Sequence, residues 1–331
     1  MRNLLSSIIY NETKTIPMKG DIKMNLNNQK LILVTGATGL QGGAVANEAL
    51  KQGFKVRILV RDINSSKAQA LIQKGAEAVV GNFDDPSSLE NAMKNVDAVF
   101  SVPISGVDTN ETDRERKQAF ALIQSAKKVG VEQFVHTSVA ATSRYTEFPD
   151  WGTGYWFEKY WTDKWDIEEA VRSAGFPTWT IVKPAAIMEN FTAEKSGFMY
   201  PDLQQGEIKT VTFADTPIDH IAVEDLASFV CAVFANPEKF NKHNIELAAE
   251  SISYKKIAEI ISEVTGKELK ITTLSIEEAL EQGIHPLSVR GEQWNNVAGY
   301  NVDIDLLKTY NIKLISFKEF AEKYKDKFKI D

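Results

Sequence analysis

Thr35-Gly36-Ala37-Thr38-Gly39-Leu40-Gln41-Gly42 stands between an apolar run at 31–35 and a helix-forming stretch at 40–52. Three glycines so placed read as a strand, a tight turn and the opening of a helix. They would serve a sharp turn, close backbone approach to a ligand, and close packing of helix on strand. The N–H groups that open a helix have no partner within it and carry the positive end of its dipole, so such a turn suits a phosphate. An ordinary strand–helix connection is the plainer reading of a glycine triplet. The surrounding chain decides between the two.

From residue 31 to about 188 the chain repeats one unit. Short runs rich in Val, Ile, Leu or Phe fall at 31–35, 55–60, 78–80, 98–102, 133–137 and 178–182. Such runs suit strands covered on both faces. Between them lie helical stretches at 40–52, 65–74, 86–94, 112–129 and 156–174. Gly53, Gly75, Gly130 and Gly175 are placed to end helices, and Pro86 suits a first helical turn after Asp84 or Asp85 as cap. The pattern predicts an α/β fold, a Rossmann-type doubly wound parallel sheet. A glycine turn on its first strand points to dinucleotide binding, with Gly36, Thr38, Gly39, Leu40, Gln41 and Gly42 around the pyrophosphate. Beyond 188 the alternation breaks. Residues 192–216 look irregular, with helices expected at 223–234, 254–265 and 317–327 and a strand at 244–247. The expected organisation is a nucleotide domain at 30–190 and a smaller mixed α/β substrate lobe at 191–331, packed on the first.

Composition narrows the function. A net charge of −7 and a pI near 5.4 argue against nucleic acid or an anionic membrane as partner. No apolar run approaches the ~20 residues that span a bilayer. The single cysteine, Cys231, lies in the apolar run 229–233 and reads as a buried thiol. His136, His220, His243 and His285 are scattered, so no metal site is expected. Residues 1–29 are polar apart from 4–10 and read as a disordered leader, or as sequence upstream of a start at Met18 or Met24. No targeting signal is evident, and a cytoplasmic location is expected by default.

The turn's spacing is Gly-x-x-Gly-x-x-Gly, and it resembles the short-chain dehydrogenase/reductase superfamily, above all its atypical NmrA-like and isoflavone-reductase-like branch. The segments that carry the resemblance are 36–43, Val56-Arg57-Ile58-Leu59-Val60-Arg61-Asp62, 75–85, 183–191 and 252–266. It implies NADP(H), with Asn82 and Phe83 after the third strand and Pro184 after the sixth joining the cofactor site. The second strand sets the preference. An acidic residue at its end bonds the ribose of NAD, whereas a basic one accommodates a 2′-phosphate. Here Arg61 ends it, with Lys67 one turn into the next helix, so NADP(H) is expected ahead of NAD(H). Asp62 is read as a helix-entry residue turned away.

The superfamily's chemistry implies a Tyr-x-x-x-Lys pair on a helix and a serine after the preceding strand. Ser138 holds the serine position, and two overlapping pairs follow, Tyr155/Lys159 and Tyr160/Lys164. Residues five apart are turned ~140° on a helix, so one pair alone faces the cofactor. Tyr160 and Lys164 continue into Ile167, Val171 and Ala174, an apolar stripe, and are the favoured pair. Tyr155 and Lys159 continue into a polar one. The expected roles are Tyr160 as proton donor, Lys164 as the cation beside it and on the nicotinamide ribose, and Ser138 as the group orienting the substrate. Phe157, Trp161 and Trp165 form another stripe, read as packing. An NADP(H)-dependent reductase of a small carbonyl, quinone or enone is expected. Its rival is a non-catalytic NADP(H) sensor acting on a protein partner; a nucleotide-sugar epimerase fits the second lobe poorly.

Overall fold

The protein is described by a computed structural model covering residues 30–103 and 113–331. The expected leader at 1–29 lies outside the described residues. The first half alternates as expected: β1 (Leu31–Val34), α1 (Leu40–Lys51), β2 (Lys55–Val60), α2 (Ser66–Gln73), β3 (Glu77–Val80), α3 (Pro86–Ala92), β4 (Ala98–Ser101), α4 (Arg114–Val129), β5 (Gln133–Thr137), α5 (Glu158–Ser173) and β6 (Thr178–Pro184). Asp85 caps α3 by accepting from the Ser87 N–H, with Pro86 in the first turn. Gly53, Gly75, Gly130 and Gly175 all take positive φ at helix ends.

The second half comprises β7 (Ala186–Ile187), α6 (Ser196–Met199), β8 (Glu207–Thr210), β9 (Pro217–Ile221), α7 (Val223–Ala235), α8 (Pro237–Phe240), β10 (His243–Leu247), β11 (Glu250–Ser253), α9 (Tyr254–Thr265), β12 (Lys270–Thr273), α10 (Ile276–Glu281), α11 (Pro286–Val297), α12 (Ile304–Lys308) and α13 (Phe317–Lys323). Two of these, read above as part of the later lobe, complete the first layer instead. β10 pairs in parallel with β6, and α7 packs on α1, so the strand–helix alternation resumes after an excursion from 185 to 222. The apolar character of α7 explains this, since burial of both faces requires a sheet on one side and a neighbouring helix on the other.

The large sheet runs β10-β6-β5-β4-β1-β2-β3, with every pair parallel. Side chains alternate across it. Ile32 and Val34 enter the core beneath α1, α2 and α7, while Leu33 enters the core beneath α3, α4 and α5. Strand order reverses at β1, between β4 and β2, which opens the crevice where α/β sheets bind ligands. A separate core of Met188, Phe191, Tyr200, Tyr254, Ile257, Phe317 and Phe320 holds the excursion and the C-terminal elements together. Cys231 is fully buried in α7, and that burial pushes its thiol well up. No helix among the described residues is long and apolar enough to cross a membrane.

Candidate functional site

The turn after β1 is shaped by its backbone. Gly36 has φ +59°, and a Cβ there would stand 2.7 Å from Val102 Cγ1. A Cβ on Gly42 would lie 2.5 Å from the Thr35 carbonyl oxygen and nearer still to that of Gly36, so α1 rests directly on the turn. The Gly39 N–H donates to the Gly36 carbonyl at 2.8 Å. Thr35 pins the turn to the end of β4, its hydroxyl donating to Phe100 O at 3.0 Å and accepting from the Val102 N–H at 2.9 Å. Thr38 and Gly39 form an exposed crest, with Leu40 and Gln41 half-buried behind it. No side chain caps the first turn of α1, which leaves its N–H groups for a ligand. Gln41 accepts from the Thr137 hydroxyl at 2.8 Å and so ties this turn to the end of β5. These features fit a dinucleotide pyrophosphate.

Around the crevice the other expected cofactor residues divide. Arg61 is exposed just past β2, with no hydrogen bond or ion pair among the described residues. The Asp62 carboxylate is engaged locally, accepting from the Asn64 N–H at 2.8 Å. Lys67 pairs with Glu194 at 3.3 Å, which engages it elsewhere. Asn82 is exposed and accepts from the Asp84 N–H at 2.8 Å; Phe83 packs against the core beneath α3 and α4. Pro184 is buried at the end of β6, its carbonyl accepting from Ala140 at 3.1 Å.

Helix α5 starts at Glu158, two residues later than expected, so Tyr155 is not helical and Tyr155/Lys159 is not a pair on one face. Lys159 bonds Asp113 and Asp163, at 2.6 and 2.7 Å. The register expected for the second pair holds, with Lys164, Ile167, Val171 and Ala174 all buried. The Lys164 ammonium sits 5.5 Å from the Tyr160 ring centroid. It also forms a buried ion pair with Glu115 of α4 at 2.5 Å. Burial is the largest influence and works against the Lys164 charge, but Glu115, with Tyr160 and Glu168, together outweigh it and hold the ammonium above the usual lysine range. The Tyr160 hydroxyl is raised above the usual tyrosine range by burial, with Lys164 pulling it down and Glu115 pushing it up. Tyr160 therefore stays protonated at neutral pH.

Ser138 is not brought to Tyr160 in the way expected of a substrate-orienting hydroxyl. It is buried and donates to Glu168 Oε1 at 2.7 Å, and Glu168 Oε2 is bound by Lys183 at 2.8 Å and Arg172 at 2.6 Å. The physical cause is that a fully buried Lys183–Glu168 pair must have its remaining lone pairs satisfied, and Ser138 supplies a donor. His136, beneath these cations, is held neutral by burial and by Lys164, its pKa lowered to about 3.

Tyr160 also lines a cavity of about 250 Å³ beside the crevice. Its wall is aromatic. Trp156, Phe157, Trp161 and Tyr160 come from α5 and the loop before it, Tyr200 and Tyr254 from the second lobe, and Trp294 from α11. Phe157 and Trp161 thus serve the cavity rather than packing alone, while Trp165 lies outside it, under Arg172. Trp161 and Trp294 are 5.1 Å apart, and Phe148 packs edge-on to both. Two contributions escaped the sequence reading. The α11 wall carries no motif. The Glu168–Lys183 pair did leave a signal, since a lysine inside a strand buried on both faces needs a carboxylate, and Glu168 lies one turn after Lys164 on the buried side.

A sequence profile of the NmrA-like family matches residues 28–321. The NmrA-like family domain-containing oxidoreductase malD of Malbranchea aurantiaca is 27% identical over 298 residues, spanning 80% of this chain and 85% of that protein. Among solved structures, the NADPH-dependent quinone oxidoreductase QOR2 of Escherichia coli, complexed with NADPH, superimposes with a TM-score of 0.69 at 20% identity, covering 88% of this chain and 99% of that one. NmrA, a negative transcriptional regulator in complex with NADP, gives 0.69 at 18% identity, covering 90% and 96%. The family match spans most of the chain, and the chain belongs to the NmrA-like family.

Proposed function

We propose that this protein is an NADP(H)-dependent reductase of a small carbonyl, quinone or enone compound. The observation that carries the reading is the position of Tyr160, which lines the aromatic cavity while standing 5.5 Å from the Lys164 ammonium. The glycine turn and the open first turn of α1 would hold the pyrophosphate, and Arg61 a 2′-phosphate, through charge-assisted bonds. Bound there, NADPH supplies a hydride. The chain's part is to place a flat apolar substrate against the aromatic wall and deliver a proton to its oxygen from the Tyr160 hydroxyl. A tyrosine kept protonated suits the reductive direction, in which the group must give a proton. The adjacent Lys164 charge stabilises the phenolate left behind, while Glu115 and Glu168 fix the helix that carries both. Kinship with an oxidoreductase and a fold shared with a quinone reductase agree with this reading.

NADPH oxidation against a panel of quinones, aldehydes and enones tests it. Turnover with at least one class is expected. The second reading, an NADP(H) sensor, is favoured by one observation: Lys164 is already engaged by Glu115 at 2.5 Å. Tight NADPH binding with no turnover across the panel would select it.

A further inference from the structure

We propose that the cavity selects a compact planar ring that carries an acid group, with Arg290 as the residue that reads the acid. This rests on the reductase reading only in taking the cavity to be the substrate site.

At about 250 Å³ the cavity is smaller than the ~300–1,000 Å³ of drug-sized sites, and a ~150 Å³ cavity holds benzene. The space suits one or two fused rings against Trp161 and Trp294. Within that apolar wall Arg290 is the one cation among the lining residues. It has no carboxylate partner among the described residues, unlike the other cations of this neighbourhood. Lys164 has Glu115, Lys183 has Glu168, and Lys159 has two aspartates.

Arg290 is nonetheless held in place. Its guanidinium carbon lies 4.1 Å from the Tyr155 ring centroid, and Nη1 donates to Gln293 Oε1 at 3.1 Å. The Tyr155 hydroxyl donates to the same Gln293 oxygen at 2.6 Å, closing a three-residue brace. A guanidinium has five N–H donors, and this brace uses one of them. The remaining fork matches a carboxylate or sulfonate. Glu292, the one carboxylate of the lining, does not serve as the counter-ion. Its Oε2 is engaged by other donors, accepting from Thr210 Oγ1 at 2.8 Å and from the Val211 N–H at 2.9 Å. Burial also lifts its carboxyl to about 7, which weakens its repulsion of an incoming anion.

Calorimetric titration of the full chain with 2-naphthoate and with 2-naphthamide, its neutral counterpart, tests the proposal. The parent protein should bind the acid about tenfold or more tightly than the amide, as expected for bonds to a charged group. Arg290→Met keeps the stem packed on Tyr155 and should bring naphthoate down to the level of naphthamide, leaving the amide unchanged. Arg290→Lys should recover part of the preference. Equal binding of the two probes by the parent, a preference that survives in Arg290→Met, or no binding of either probe would overturn the proposal. NADPH oxidation with 1,4-naphthoquinone and its 2-sulfonate separates this from the reductase reading. Turnover of neither quinone, with the naphthoate preference intact, leaves the acid site standing and removes these quinones from the reductase reading.

Discussion

The glycine turn is tied to the end of β5 through Gln41 and Thr137, and the wall of the aromatic cavity begins two residues later at Val139, yet the two are made of different material. The turn is eight consecutive residues whose shape is set by backbone contacts and by the lack of Cβ atoms at Gly36 and Gly42. The cavity draws side chains from α5, β7, β9, α6, α9, α11 and the loops between, over more than 150 residues of chain. A site built from backbone tolerates almost no substitution and carries one ligand chemistry. A site built from scattered side chains can change its preference without touching the fold. That difference explains how one family can keep its cofactor crevice while its members differ in what they act on.

The comparison breaks first at its most rigid point. Gly42→Val forces a branched side chain into the carbonyls of Thr35 and Gly36, and we expect loss of NADPH binding together with a large fall in Tm. Gly291→Ala, in the cavity wall with open space around it, should leave Tm unchanged or slightly raised, since alanine is the better helix former. Thermal melts and NADPH titration of the two variants check this. A Gly42→Val protein that melts and binds like the parent would show the turn to be less tightly packed than it is here.

Lys164→Met comes next. It leaves Glu115 buried without its partner, a change that typically costs about 3–5 kcal/mol, and it removes the cation beside Tyr160. Stability, turnover and cofactor affinity should all fall. Adding Glu115→Gln should restore most of the stability and none of the turnover. Denaturant unfolding and steady-state rates separate the two effects, and recovery of both together would mean that Lys164 acts through folding alone.

A smaller effect is expected at Arg61, which lies at the edge of the turn's reach. Arg61→Ala should weaken NADPH about tenfold or more and hardly move NADH. Equal losses for both cofactors would remove the 2′-phosphate assignment.

The most gradual effect is spread over pH and belongs to the second lobe and its junction with α7. Burial raises Glu189, Asp225 and Glu292 to about 7, each against backbone N–H bonds that favour the charged form. A carboxyl raised in the folded state holds its proton there while the unfolded chain has lost it. Stability should therefore be greatest below about pH 4.5 for these groups and decline as pH climbs to about 7, at no more than about 1.4 kcal/mol per pH unit for each. Above that the loss is complete and the curve levels. Glu292→Gln keeps an acceptor for Thr210 and Val211 and should flatten the decline in melts from pH 5 to 8. An unchanged slope would show that Glu292 is ionised throughout.

What could be read from the sequence follows the same division. Strands buried on both faces, such as β1 and β4, announce themselves as apolar runs, and glycines at helix ends mark where several helices stop. The turn was legible because its function is local. β10 and α7 were misplaced because a strand of the central sheet and a strand of a side lobe look alike over five residues, the pairing of β10 with β6 spans more than 60 residues, and α7 packs on the distant α1. Ser138 looked like a site residue by position, but the direction of its hydroxyl is decided by Glu168, thirty residues away. The α11 wall was hidden for the same reason, since Arg290 and Trp294 gain meaning only beside Tyr155 and Trp161.

The central claim is that Tyr160 joins the two regions by giving a proton to a substrate held in the cavity. Tyr160→Phe keeps the ring's packing and removes the hydroxyl alone, so single-turnover reduction of a quinone or enone by the NADPH-loaded protein measures that proton directly. We expect the rate to fall by about 10²–10⁴-fold with NADPH affinity close to the parent's, and Tyr155→Phe to be nearly silent. A Tyr160→Phe protein that reduces the substrate as fast as the parent would contradict the account.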